Sequence, residues 1–189
     1  MEMVGTESSN GQLDLELILK FINTWNIMEG TDELSSPREL VTWFSRHNLA
    51  EGHERATTTD LRIFLKIREG LRALAMLNNG ETPETRPLME LREVVERQGF
   101  HFTLTEKGPL NPVPTGRGLN VLAGSILLEV YRAMVNGTWR RLKTCQNDTC
   151  LKAFYDHSRN HSGKWCSMSV CGNRTKVRRY LYNNPRLKA

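Results

Sequence analysis

The chain has 189 residues, 39% hydrophobic and 25% charged, which supplies a buried core and excludes a wholly disordered protein. No apolar run approaches the roughly 18–20 residues of a membrane-spanning helix, and Met1–Asn10 lacks the basic and apolar stretches of a secretory signal, so a cytoplasmic protein is expected. The net charge of +5 is unevenly spread: Trp139–Ala189 carries 12 Lys and Arg against Asp148 and Asp156, a net of +10, while residues 1–138 are net −5. Such a split predicts an anion-binding end on a mildly acidic globular part.

Residues 1–12 read as a flexible polar tail. Leu15, Ile18, Leu19, Ile22 and Trp25 fall at helical spacing and predict an amphipathic helix over 13–26. Ser36-Pro37-Arg38-Glu39 is a helix start: Ser36 caps, Pro37 suits the first turn, and Glu39 closes a capping box. That helix carries Leu40, Val41 and Phe44 and ends near Asn48. A third begins at Thr58–Asp60, runs through Leu61, Leu65, Leu71 and Leu74, and stops at Asn78-Asn79-Gly80. A fourth spans Glu84–Arg97 with Leu88, Leu91 and Val95 inward. Phe100, Phe102 and Leu104 then alternate with His101, Thr103 and Thr105, the pattern of a strand. Lys107–Gly118, with three prolines and three glycines, reads as a loop, and a long helix follows over Leu119–Val135. Asn136-Gly137 ends it, so the expected division is a helical domain over 13–138, a finger over 139–184 and a basic tail over 185–189.

All four cysteines, Cys145, Cys150, Cys166 and Cys171, lie in the basic end, spaced C-x4-C-x15-C-x4-C. Two short pairs separated by a hairpin-length insert suit a tetrahedral all-thiolate zinc site. The other readings are two disulfides, less fitting for a reducing compartment, four unrelated buried thiols, and an iron–sulfur ligand set, whose usual spacings are absent. One zinc is expected, and structural, because four thiolates leave no open coordination position. Lys152–Asp156 alternates like a strand, His157–Lys164 is polar like a turn, and Trp165-Cys166 would start a return strand. A helix after Cys171-Gly172-Asn173 would turn Val177, Tyr180 and Leu181 to one side. His157 and His161 read as turn residues. The fold class is therefore α+β: a mainly helical part with a small strand element, then a treble-clef or ribbon-like finger built from a β-hairpin and a helix.

Basic residues surround the cysteines: Arg140, Arg141 and Lys143 before them, Lys152, Arg159 and Lys164 between, and Arg174, Lys176, Arg178 and Arg179 after. Lys and Arg on a small rigid finger suit phosphate contacts, and a helix beside zinc can enter a major groove. Arg174, next to the second cysteine pair, is expected to brace it, leaving Lys176, Arg178 and Arg179 for nucleic acid.

The stretch Cys145…Cys150…Phe154-Tyr155-Asp156…Trp165-Cys166…Cys171-Gly172-Asn173-Arg174 resembles the CGNR zinc finger, named for the tetrapeptide at 171–174. The resemblance implies four zinc-ligating cysteines and DNA binding in a bacterial transcription regulator. Leu19–Thr24 and Ile67–Leu71 are similar to motifs of the ABATE-type domain that precedes such fingers in stress-linked regulators. That likeness implies a small-molecule sensor, with Asn23, Thr24, Arg68 and Glu69 as candidate pocket residues. The resulting expectation is a regulator that binds double-stranded DNA, with a small-molecule effector, no membrane segment and room for a homodimer. The rival is a zinc-stabilised module that docks on an acidic protein partner or on RNA. No nucleophile–base set is legible, so no enzyme is expected.

Overall fold

The computed structural model describes residues 13–50, 55–104, 108 and 110–184; the tails expected at 1–12 and 185–189 lie outside them. Helix α1 (Leu15–Ile22) starts where Asp14 Oδ1 accepts the Leu17 N–H at 2.8 Å and buries Leu17, Ile18, Phe21 and Ile22. It starts two residues later and ends four residues earlier than the 13–26 predicted from its apolar spacing. The Thr24 hydroxyl turns back onto the Phe21 carbonyl, and the chain enters a small hairpin, β1 (Trp25–Asn26) with β2 (Thr31–Asp32). Helix α2 (Pro37–Arg46) is capped by Ser36 as expected, but the Glu39 carboxylate takes the Ser35 hydroxyl.

Helix α3 (Thr58–Leu77) is the central element. A complete Thr57–Asp60 capping box starts it, and it buries Leu61, Phe64, Ile67, Leu71 and Ala75. Phe21, Trp43, Phe44 and Phe64 pack around one another, the closest pair of ring centroids among the phenylalanines being Phe44 and Phe64 at 4.9 Å. Helix α4 (Thr85–Arg97) lies on α3 with Leu91 buried, whereas Val95, expected inward, is 47% exposed. Strand β3 (Phe100–Leu104) pairs antiparallel with β4 (Leu110–Pro114), Phe102 facing Pro112. The proline-rich stretch read as a loop thus carries a strand; proline is compatible with an edge strand, where its missing donor is not needed. Helix α5 (Leu119–Val135) has the predicted bounds and buries Leu122, Ala123, Ile126 and Val130. Among the described residues no helix is long and apolar enough to cross a membrane.

After a short turn at Trp139–Arg141, strand β5 (Leu142–Thr144) pairs antiparallel with β6 (Ala153–Tyr155). This corrects the expected hairpin, in which the second strand would have begun at Trp165. Strand β6 pairs backwards instead, and a π-turn at Met168–Gly172 leads into α6 (Asn173–Asn183). The hairpin is part of the main core, because Trp139, Leu142 and Ala153 are buried together with the aromatic cluster of α1, α2 and α3. The architecture is α+β and mainly helical, with three separate two-stranded pairs among the described residues.

Helix α3 also carries two arginines that are almost fully buried, Arg68 and Arg72. Arg68 binds Asp32 through both oxygens, at 2.6 and 2.9 Å, and reaches Thr24 Oγ1 and Glu69 Oε1 at 3.1 and 2.7 Å. Burial raises the Asp32 carboxyl, but the hydrogen bonds from Arg68 and the Leu34 N–H outweigh it and hold the group below its ordinary value. A depressed carboxyl contributes stability above its unfolded pKa of about 3.9, and that contribution is lost as pH falls through the lower folded value. Urea unfolding followed by helical signal should therefore show stability dropping on acidification below about pH 4. Asp32→Asn should be less stable at neutral pH and flatter over that acid range; an unchanged slope would remove Asp32 from the effect.

Candidate metal centre and basic surface

The first cysteine pair sits in the loop that joins β5 to β6. Asn147, 2% exposed, shapes that loop: its Oδ1 accepts from Thr149 N and Oγ1, and its carbonyl accepts the Cys150 N–H at 2.7 Å. The second pair is set by the π-turn, where the Ser167 carbonyl accepts the N–H groups of Cys171 and Gly172. A backbone bond from Gln146 N to Lys164 O, 2.9 Å long, ties the two halves.

The four sulfurs lie within 4.8 Å of one another, with Cys166 Sγ 3.7 Å from both Cys150 Sγ and Cys171 Sγ. A zinc–sulfur bond of about 2.3 Å gives a tetrahedron with an edge of about 3.8 Å, so the cluster fits one Zn2+. All four thiols are free of disulfides; Cys145, Cys150 and Cys171 are buried, and Cys166 is half-buried. Without a metal, burial pushes the Cys145 thiol up to about 11 and raises Cys166 as well. The protons must leave for thiolates to form, and a divalent cation supplies the charge that makes them stable there. The cysteines hold one structural zinc, and His157 and His161 take no part in the cluster.

Next to the metal site lies a second, metal-free brace. Lys143 Nζ donates to Asp156 Oδ2 at 2.8 Å and to the His161 carbonyl, and both side chains of the pair are almost fully buried. Asp156 also accepts the N–H groups of Ser158 and Gly163, each at 2.9 Å. Burial works against its charge, but Lys143 and these donors prevail and hold the carboxyl far below the ordinary range. The turn passes so close that a Cβ at Gly163 would lie 2.7 Å from Asp156 Oδ1. This corrects the placing of Lys143 among the nucleic-acid contacts, since its ammonium is spent inside the finger.

The other bases divide. Arg141 donates to the carbonyls of Asp156 and Ser158, which ties it to the same turn. Arg178 meets Asp148 Oδ1 at 2.6 Å and Asn147 Oδ1 at 3.3 Å, so bracing of the first cysteine loop falls to Arg178. Arg174, expected to brace the second cysteine pair, is exposed with Nη1 3.2 Å from Met28 Sδ. Arg140 is exposed and bonds the Gly137 carbonyl. Arg159, Lys164, Lys176 and Arg179 are exposed and form no ion pair among the described residues. Helix α6 buries none of its side chains, and Val177 and Tyr180, placed on one side of it by the sequence, are more than half exposed.

The candidate pocket residues separate too. Asn23 and Thr24 border a cavity of about 580 Å³ that also touches Cys150 and Lys152, but their polar groups are already committed. Asn23 pairs in both directions with the Ala153 backbone, at 2.9 and 2.8 Å, and Thr24 bonds Phe21 and Arg68. Arg68 and Glu69 stand outside that cavity in the ion network of α3. Sequence reasoning missed Arg72, which donates to the carbonyls of Leu151, Ile22 and Trp25, and Asn78 and Asn79, which bond the backbone of Trp139, Leu142 and Thr144. The available signal was two arginines four apart, flanking the apolar stripe of Ile67 and Leu71.

A metal assay should find one zinc per chain, and Cys166→Ser should lose it, since structural zinc is worth about 10–16 kcal/mol in small fingers. Asp156→Ala should keep the ligands but leave Lys143 buried without its counter-charge, a cost of about 3–5 kcal/mol. Its zinc should be stripped at lower chelator concentration than wild-type zinc; equal resistance would show that the ion pair does not support the site.

The CGNR zinc finger family matches residues 141–182, which hold both cysteine pairs and nearly all of α6. The ABATE family, described as "Putative stress-induced transcription regulator", matches residues 15–135, from α1 to the end of α5. Comparison with curated proteins gave no match. The second match spans well over half of the chain and the first covers the metal site, so the protein belongs to the ABATE family and carries a CGNR zinc finger behind its helical body.

Proposed function

We propose that this protein is a transcription regulator that binds duplex DNA through the exposed bases of its zinc finger, under the control of a small molecule held by the helical body. The observation that carries the DNA reading is the set Arg159, Lys164, Lys176 and Arg179, exposed and without acidic partners among the described residues on a metal-braced core. Unpaired bases on a rigid support meet phosphates without first breaking an internal ion pair. The four-thiolate zinc has no free position for substrate, which supports a structural role. A symmetric operator would call for two copies of the chain.

One observation favours a protein partner instead. Val177, Tyr180 and Tyr182 are 57%, 59% and 78% exposed on α6, and aromatic residues are enriched at protein interfaces. Salt dependence separates the readings. Lys176→Ala with Arg179→Ala, zinc content intact, should weaken duplex DNA binding. The slope of log affinity against log salt should also shrink, by about 0.9 for each phosphate no longer neutralised. An unchanged slope and affinity would remove α6 from a DNA interface and favour the protein partner.

A further inference from the structure

We propose that the cleft bounded by α3, α4, α5 and the β3–β4 hairpin is a binding site for a neutral, lipophilic small molecule. The proposal rests on the sensor reading of the helical body for its meaning, though not for its test. The cleft has a volume of about 660 Å³, within the range of sites that enclose drug-sized ligands. No charged residue lines it, and the Tyr131 hydroxyl is the one side-chain oxygen or nitrogen among the lining residues. A charged ligand would lose its hydration there with nothing to replace it, so the fitting occupant is neutral and carries at most a single hydrogen-bonding group.

The packing explains why the cleft is open. At one end α3 and α4 touch closely, because a Cβ at Gly70 would fall 2.4 Å from Leu91 Cβ. At the other the base of the hairpin is clamped to α5, because a Cβ at Gly124 would fall 2.6 Å from Pro114 Cβ. The hairpin nevertheless leaves apolar residues uncovered, from Phe100 beside the clamp, 40% exposed, to Phe102 and Leu110 further along, 68% and 62% exposed. The alternating pattern of β3 is that of a strand with one buried face, yet no described part of the chain covers it. A two-stranded hairpin is marginal by itself, and uncovered aromatic side chains mark a binding groove more often than a plain surface.

Depth selects a small molecule over a second copy of the chain. The floor is made by Leu71, Leu91, Leu128 and Val130, all buried, whereas Val95, Leu110 and Met134 form an exposed rim. A space of about 660 Å³ between rim and floor is that of a drug-sized molecule, whereas a flat protein face would meet the rim alone. Helix α3 places Leu71 in this floor and the adjacent Arg72 on the backbone of the finger, so an occupant would bear on the helix that holds the finger.

The probe is N-phenyl-1-naphthylamine, neutral and fluorescent in apolar surroundings, titrated into the full zinc-loaded chain. One saturable site per chain is expected, with affinity that does not fall between low and high salt. Val95→Trp fills the cleft from its rim and Leu110→Asp puts a charge on its wall; both replace exposed residues, so the fold and the zinc should survive. Each should weaken the probe about tenfold or more. No saturable site, or equal affinity in both folded variants, would overturn the proposal. So would sedimentation of the wild type as a dimer that Leu110→Asp dissociates, because the cleft would then be an interface between copies. No DNA enters this titration, so its failure leaves the DNA reading intact, and loss of DNA binding with the probe site intact would count against that reading alone.

Discussion

The β5–β6 hairpin is only three residues long on each strand and cannot satisfy its own backbone. Its ladder uses one edge of each strand, and Leu142, Lys143, Thr144 and Ala153 are buried against the rest of the molecule. Unpaired buried backbone groups are costly, so the body has to supply partners. It does so with long polar side chains: Asn23 on Ala153, Arg72 on Leu151, Asn78 on Trp139 and Leu142, and Asn79 on Thr144. The placement of the zinc site follows from this docking, because the first two cysteines are carried in the loop of the same hairpin.

Two different devices then stabilise the finger. Zinc closes the chain across the two cysteine pairs, which a hydrophobic core of so few residues could not do. The Lys143–Asp156 pair fastens the turn between them and leaves no bond to the metal. A buried ion pair is seldom a large net gain over an apolar pair, but Asp156 also satisfies two backbone donors of the turn. The arrangement ties down the turn that carries Arg159 and adjoins Lys164.

Helix α3 links the parts. Its apolar stripe forms the core and the floor of the lipophilic cleft, while Arg68 and Arg72 on the adjoining face hold the β1–β2 hairpin and the finger. Burial pulls the Arg72 guanidinium below its ordinary value, against the opposing charge of Glu69. Its three carbonyl partners and Glu69 make removal of either arginine far more disruptive than loss of a surface charge. Helix α3 thus contacts the core, the β1–β2 hairpin, the finger and the cleft at once.

Features that arise locally or from ligand chemistry were legible in the amino-acid order. Cysteine spacing announced the zinc, the Ser36 cap placed the start of α2, and the bounds of α5 followed from the proline- and glycine-rich stretch before it and Asn136-Gly137 behind it. Strand β4 escaped because its prolines mimic a loop when the partner strand is unseen. Helix α1 lost its last predicted turn because Asn23 and Thr24 form bonds to distant residues. The pairing of β6 with β5, in place of a strand at Trp165, depended on contacts with α1 and α3 that no local pattern encodes. The bases show the same division. Composition gives the positive charge of the last fifty residues, but only the tertiary structure sends Lys143 inward to Asp156, commits Arg178 to Asp148, and leaves Lys176 and Arg179 in water. Charge is a property of the side chain alone; its availability depends on which acid and which carbonyl the fold brings within reach.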